Sequence, residues 1–101
     1  MAHPYSADDF DQHTGKSFRA AAAPDGPEIV LSRVERASDT EVRERAGLPP
    51  GYTVIFSGPP EPVLAEGLHA LTSDDGSVFE VYVNPIHTPA RDRQDYQAVF
   101  G

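Results

Sequence analysis

The stretch SVFEVYV, residues 77–83, decides how this chain reads. Phe79, Val81 and Val83 form one alternate set and are all apolar, while Val78, Glu80 and Tyr82 form a mixed set. A period of two belongs to a strand with one buried and one partly wet face, as in an antiparallel sheet. Just before it, SDDG (Ser73 to Gly76) reads as a hairpin turn with Gly76 at a positive-φ position. LHALT precedes that turn as a short partner strand.

The same grammar extends in both directions. Upstream, SFRAAA is a weak strand candidate, EIVLSRV a better one, and YTVIFS puts Tyr52, Val54 and Phe56 on one side. Downstream, DYQAVF aligns Tyr96, Ala98 and Phe100 against Gln97 and Val99. Proline- and glycine-rich pieces separate these runs: APDGP, GLPPG, SGPPEP and NPIHTP read as turns or loops. The expectation is a mainly β chain, a small antiparallel β-barrel or sandwich of about six strands with a short N-terminal helix, in a single domain over residues 1–101. A patterned strand at the C-terminus is expected to be paired with a neighbour, since an unpaired end frays.

Two helical pieces stand out. In YSADDFDQHTG, residues 5–15, Ser6 is an N-cap with Asp9 three residues on, and Tyr5 and Phe10 have the spacing of a hydrophobic staple. Asp8 and Asp9 fall in the first turn, where the helix dipole favours them, and Gly15 supplies a stop. Asp8, Asp9, Asp11 and His13 also suggest a metal site, because Asp9 and His13 share a face at i,i+4. Capping accounts for every acidic residue but Asp11, so the capped helix is preferred. The second piece, SDTEVRERAG, has Ser38 or Asp39 as cap, Gly47 as stop and an i,i+4 Glu41–Arg45 pair, with only Val42 to bury. It reads as a surface turn of helix.

Composition narrows function. With 8 basic and 16 acidic residues the formal net charge is −8, which disfavours nucleic-acid backbones and anionic membrane surfaces. There is no cysteine, so thiolate chemistry and disulfides are excluded. The opening MAHPYSADDF lacks the basic and apolar regions of a secretory signal, and no apolar run approaches the ~20 residues of a membrane span. A cytoplasmic protein is expected, or one exported without a recognisable N-terminal signal.

Candidate chemistry is sparse. DDGS (Asp74 to Ser77) lacks the twelve-residue calcium-loop spacing. GPPEP reads as a rigid loop in preference to a polyproline ligand. Of the four histidines, His3, His13, His69 and His87, His69 is expected to face inward with Leu71 as a structural residue. No GxSxG, P-loop or GxGxxG occurs. No catalytic, cofactor-binding or metal residue is assigned, and no cofactor is expected.

In their order and spacing, Tyr5, ADDF, Gly15 and Phe18, then EIVLSRV, YTVIFSGP, EGLHAL, SVFEVYVNPI and YQAVFG, resemble the small bacterial domain family DUF6916. The chain departs from that pattern at Glu66, where the family has Gln, at His69, where an aromatic is usual, and at Gly101, where Asn closes the motif. A charged insert lies around Thr40 to Pro50. The resemblance implies a companion of phage-tail-like or collar-type proteins with no enzymatic reaction, and defines no catalytic residues. The expectation is therefore a non-enzymatic structural or adaptor subunit of a larger assembly, phage-tail-like or self-associating, whose partners are other protein subunits. The alternative is a small-ligand or carbohydrate-binding module built on Tyr52, Tyr82 and Tyr96.

Overall fold

The computed structural model describes residues 5–23, 25–37, 40–47 and 51–100. Helix α1 (Ala7–Asp11) leads into strands β1 (Ser17–Ala20) and β2 (Glu28–Arg36), helix α2 (Thr40–Arg45), and strands β3 (Tyr52–Gly58), β4 (Gly67–Ser73), β5 (Val78–Pro85) and β6 (Gln94–Phe100). The six strands close into an antiparallel barrel in the order β1-β2-β3-β6-β5-β4. After β3 the chain follows the proline-rich loop and resumes at β4, across the barrel beside β1, so that β6 returns between β3 and β5. Closure removes the open edges that a sandwich would leave.

Alternation sets the inner face. Phe79, Val81 and Val83 are buried while Val78, Glu80 and Tyr82 are exposed, and Tyr96, Ala98 and Phe100 are buried while Val99 stands out. Tyr52, Val54 and Phe56 also point inward, but Ile55 between them is buried too, on the side away from the core cluster. In β2 the inward set is Ile29 and Leu31, then Val34, which packs against the core. The change of parity comes from a bulge between Leu31 and Arg33, where the pairing with β3 shifts register. Ser32 at the bulge shares a 2.9 Å hydrogen bond with Ser57, whose hydroxyl also bonds the Asp95 carboxylate at 2.8 Å.

The ladders are unequal. β3 and β6 pair over seven positions, from Tyr52↔Phe100 to Gly58↔Gln94, so the C-terminal strand is firmly held. β5 and β6 pair only at Asn84↔Gln97 and Pro85↔Tyr96. Beyond those two positions, side chains from α1 and the residues just before it bridge the two strands. Phe10 is fully buried, with ring centroids 4.5 Å from Phe79 on β5 and 5.4 Å from Phe100 on β6. The Tyr5 hydroxyl accepts from the Glu80 N–H at 3.1 Å, giving a β5 amide a partner that β6 does not supply. The Tyr5 carbonyl in turn accepts from the Tyr52 hydroxyl at 2.8 Å.

The capping box of α1 is complete: the Asp9 N–H donates to Ser6 Oγ at 3.3 Å and the Ser6 N–H to the Asp9 carboxylate at 2.8 Å. The staple is present as an edge contact between Tyr5 and Phe10, centroids 5.7 Å apart. The helix ends earlier than expected, at Asp11 with Gln12 as its C-cap, and Gly15 at φ 89° instead turns the chain that follows toward β1. α2 is a surface turn, with Val42 64% exposed and Gly47 at φ 70°. Its expected caps, Ser38 and Asp39, lie outside the described residues. The Glu41–Arg45 pair does not form, and Arg43 instead lies flat on Gly51, so close that a Cβ there would meet its guanidinium carbon at 2.8 Å.

Candidate functional site

Each acidic residue of the opening segment has a partner other than an ion. Arg36, at the end of β2, donates to Asp8 at 2.9 Å and to Asp11, and this pairing raises the guanidinium pKa. Asp9 caps its own helix. His13 leaves the acidic side altogether. Its Nδ1–H donates to the Asp9 carbonyl at 2.9 Å, and its Nε2 lies in hydrogen-bond contact with the Ser77 hydroxyl at 3.1 Å. The carboxylates thus diverge, and among the described residues no group of three His, Asp or Glu side chains converges on one point. His3 lies outside the described residues.

The Ser77–His13 contact has the outline of a nucleophile and its base, but its surroundings are those of a turn clasp. Asp75, at the tip of the β4–β5 hairpin, accepts from Ser73 Oγ, from the Ser77 N–H at 2.9 Å and from Lys16 Nζ at 2.6 Å. The lysine, then the hydroxyl and amide donors, hold the Asp75 carboxyl well below the usual range. DDGS is therefore a hairpin turn, with Gly76 at φ 87°. Its carboxylate ties the hairpin to Lys16, and His13 ties it to α1.

His69 keeps the inner parity expected of it, opposite Val81, but it sits at the mouth of the barrel, half-buried, with Nε2 2.7 Å from the Ala65 carbonyl. His87 is exposed in the loop between β5 and β6. The three tyrosines of the ligand-binding alternative do not meet. Tyr52 stacks on Phe100 inside the barrel at 4.8 Å, and burial, with Asp9 nearby, pushes its pKa up to about 12. Tyr96 is fully buried and accepts from the Leu64 N–H at 2.8 Å, which anchors the proline-rich loop; burial raises its pKa. Tyr82 is outside.

A shallow cleft of about 200 Å³ opens beside Arg36, Arg43, Gly51, Tyr52 and Val99, smaller than the roughly 300–1,000 Å³ of usual small-molecule sites. Its Arg36 is already engaged by two aspartates.

The outer face of the β4–β5 hairpin is more telling. Leu68 lies opposite Tyr82, Ala70 opposite Glu80 and Thr72 opposite Val78. Leu68 is 63% exposed, Val78 53% and Tyr82 51%. Ala21 adds to it from beyond β1, its N–H donating to the Ala70 carbonyl at 2.9 Å. The Tyr82 hydroxyl donates to Glu66 at 3.2 Å, a bond to a carboxylate that raises its pKa. Alternation in SVFEVYV already put Val78 and Tyr82 outside. Leu68 as their companion was missed, although the same parity that placed His69 and Leu71 inward puts it there. Nothing in the sequence signalled the His13–Ser77 bridge, which joins residues 64 positions apart.

The molecule is thus a small closed β-barrel capped by a short helix, with an apolar core and several exposed apolar side chains on one outer face. A family model described as a domain of unknown function, DUF6916, matches residues 5–100, and the chain belongs to that family. No curated protein and no solved structure matches it. Among the described residues no helix is long and apolar enough to cross a membrane.

Proposed function

We propose that this chain is a non-enzymatic structural or adaptor subunit that engages another protein through the outer face of β4 and β5. The observation that carries the reading is the Leu68–Tyr82 cross-strand pair, continued by Val78, on a barrel whose core is complete without them. A fully buried leucine, valine or aromatic contributes roughly 1.5–3 kcal/mol relative to an exposed one. These side chains forgo most of that in the free chain. Apolar side chains exposed together on one sheet face, here with Glu80 among them, are the kind of surface a docking site presents, and tyrosine is among the residues that most often anchor one. The strands make the face rigid, so little ordering entropy opposes binding.

The test is site-specific photo-crosslinking in cells that express the chain naturally, with the crosslinking residue at Tyr82 or, as control, at the still more exposed Val42 of α2. The expected result is one discrete adduct from position 82, lost on Leu68→Ser, and none from position 42. The same adducts from both positions, or adducts indifferent to Leu68→Ser, would refute it.

A further inference from the structure

We infer that the surface docking on β4 and β5 belongs to a different protein and presents an arginine or lysine within an apolar patch. The inference rests on the docking role proposed above. It comes from how this chain disposes of its strand carboxylates. Glu28 in β2 pairs with Arg19 at 3.0 Å, Glu35 in β2 with Arg33 at 3.0 Å, and Asp95 in β6 with Arg93 at 3.0 Å. Among the described residues Glu80 is the strand carboxylate that has no cation and no side-chain hydrogen bond from this chain. It stands in the middle of the apolar face, opposite Ala70 and between Val78 and Tyr82. The second carboxylate there, Glu66, holds only the Tyr82 hydroxyl.

A partner that covers Leu68, Val78 and Tyr82 must also cover Glu80. Covering a carboxylate without a counter-charge leaves its lost hydration unrepaid, so an apolar partner alone is penalised. A cation placed there removes the penalty and adds specificity. An arginine fits best, because its planar fork binds a carboxylate in two bonds while its flat face lies on Tyr82. A second copy of this chain is the poorest candidate, since it brings another Glu80 and a net charge of −8 against −8.

Three fluorescein-labelled nonapeptides test this, alternating leucine with arginine, with serine or with glutamate, with binding read by anisotropy on the full chain. The expected order is arginine above serine above glutamate. Glu80→Gln should weaken the arginine peptide by about fivefold, added salt should weaken it further, and Leu68→Ser should weaken every peptide that binds. Both variants lie on the exposed face, and unchanged melting curves will show that each is folded. If the serine and arginine peptides bind alike and Leu68→Ser abolishes both, the docking face stands and the charge inference is overturned. Absence of binding, or binding indifferent to Leu68→Ser, overturns both. Sedimentation of the free chain covers the remaining occupant: a dimer dissociated by Leu68→Ser would make a second copy the partner and overturn the inference.

Discussion

Phe10→Ala tests whether α1 is part of the barrel or an ornament on it. Phe10 is fully buried and touches Tyr5, Tyr52, Phe79 and Phe100, with centroids between 4.5 and 6.0 Å. Two of these, Phe79 and Phe100, lie on strands that pair at only two positions at the other end of the seam. Truncating a buried phenylalanine costs about 3–5 kcal/mol, the transfer term plus the cavity left behind. A chain of this size has only about 5–15 kcal/mol in total. At about 4–8 °C per kcal/mol, the melting temperature should fall by about 12 °C or more. Circular dichroism, by heat and by urea, measures the loss. Hydrogen exchange at the Glu80 amide, which bonds the Tyr5 hydroxyl, should accelerate in step as the helix loosens. Phe10→Leu, which keeps part of the buried side chain, should lose less than Phe10→Ala. If Phe10→Ala costs under about 1 kcal/mol, the seam is closed without the helix and the reasoning fails.

Three further outcomes follow from the same geometry. Deleting Tyr96 to Gly101 should abolish cooperative unfolding, because Tyr96, Ala98 and Phe100 are core residues and β6 is the partner of β3; a truncated chain that still melts in one sharp transition would show the strand to be dispensable. Asp75→Asn should lower the melting temperature at neutral pH. Because the folded Asp75 carboxyl titrates below its unfolded value of about 3.9, its contribution is present above about pH 4 and is lost as pH falls toward the folded pKa. The gap between wild type and variant should therefore be constant from pH 5 to 7 and narrow in stronger acid; a gap that does not change with pH contradicts the Lys16–Asp75 clasp. In an alkaline titration followed by ultraviolet absorbance, Tyr52 should ionise near pH 12, and Tyr96 above the ordinary phenol value of about 10. Tyrosines raised in the folded state contribute stability that is full below pH 10 and lost above it, so alkaline unfolding should accompany their ionisation; full ionisation by pH 10 with the fold intact would refute their burial.

Much of the fold was legible because it depends on local rules. The period of two in SVFEVYV and DYQAVF fixed which faces turn inward, and Ser6, Asp9, Tyr5 and Phe10 marked the capped helix. What was not legible depends on distant residues. The choice of barrel over sandwich rests on β1 pairing with β4, through Phe18↔Ser73 and Ala20↔Leu71, which no spacing reveals. The bulge after Leu31 reverses parity within EIVLSRV, so continued alternation would have turned Val34 outward. Ile55 is buried on the side that alternation assigns to water. The candidate site was half legible. Val78, Glu80 and Tyr82 announced an outer mixed face, but the meaning of Glu80 depends on which carboxylates find arginines, a fact of tertiary structure. The acidic run at Asp8 to Asp11 suggested ligands, and its true partner, Arg36, lies 25 residues beyond Asp11.

The central claim is that one outer face of this barrel recognises another protein. It is tested most directly by titrating the isotopically labelled chain with the protein crosslinked at Tyr82 and following every backbone amide by NMR. The account predicts shifts confined to Leu68 to Thr72 and Val78 to Tyr82, with the ladder between β3 and β6 undisturbed. Shifts that centre instead on the cleft beside Arg36, Arg43 and Tyr52 would contradict it and move the binding site to the other side of the barrel.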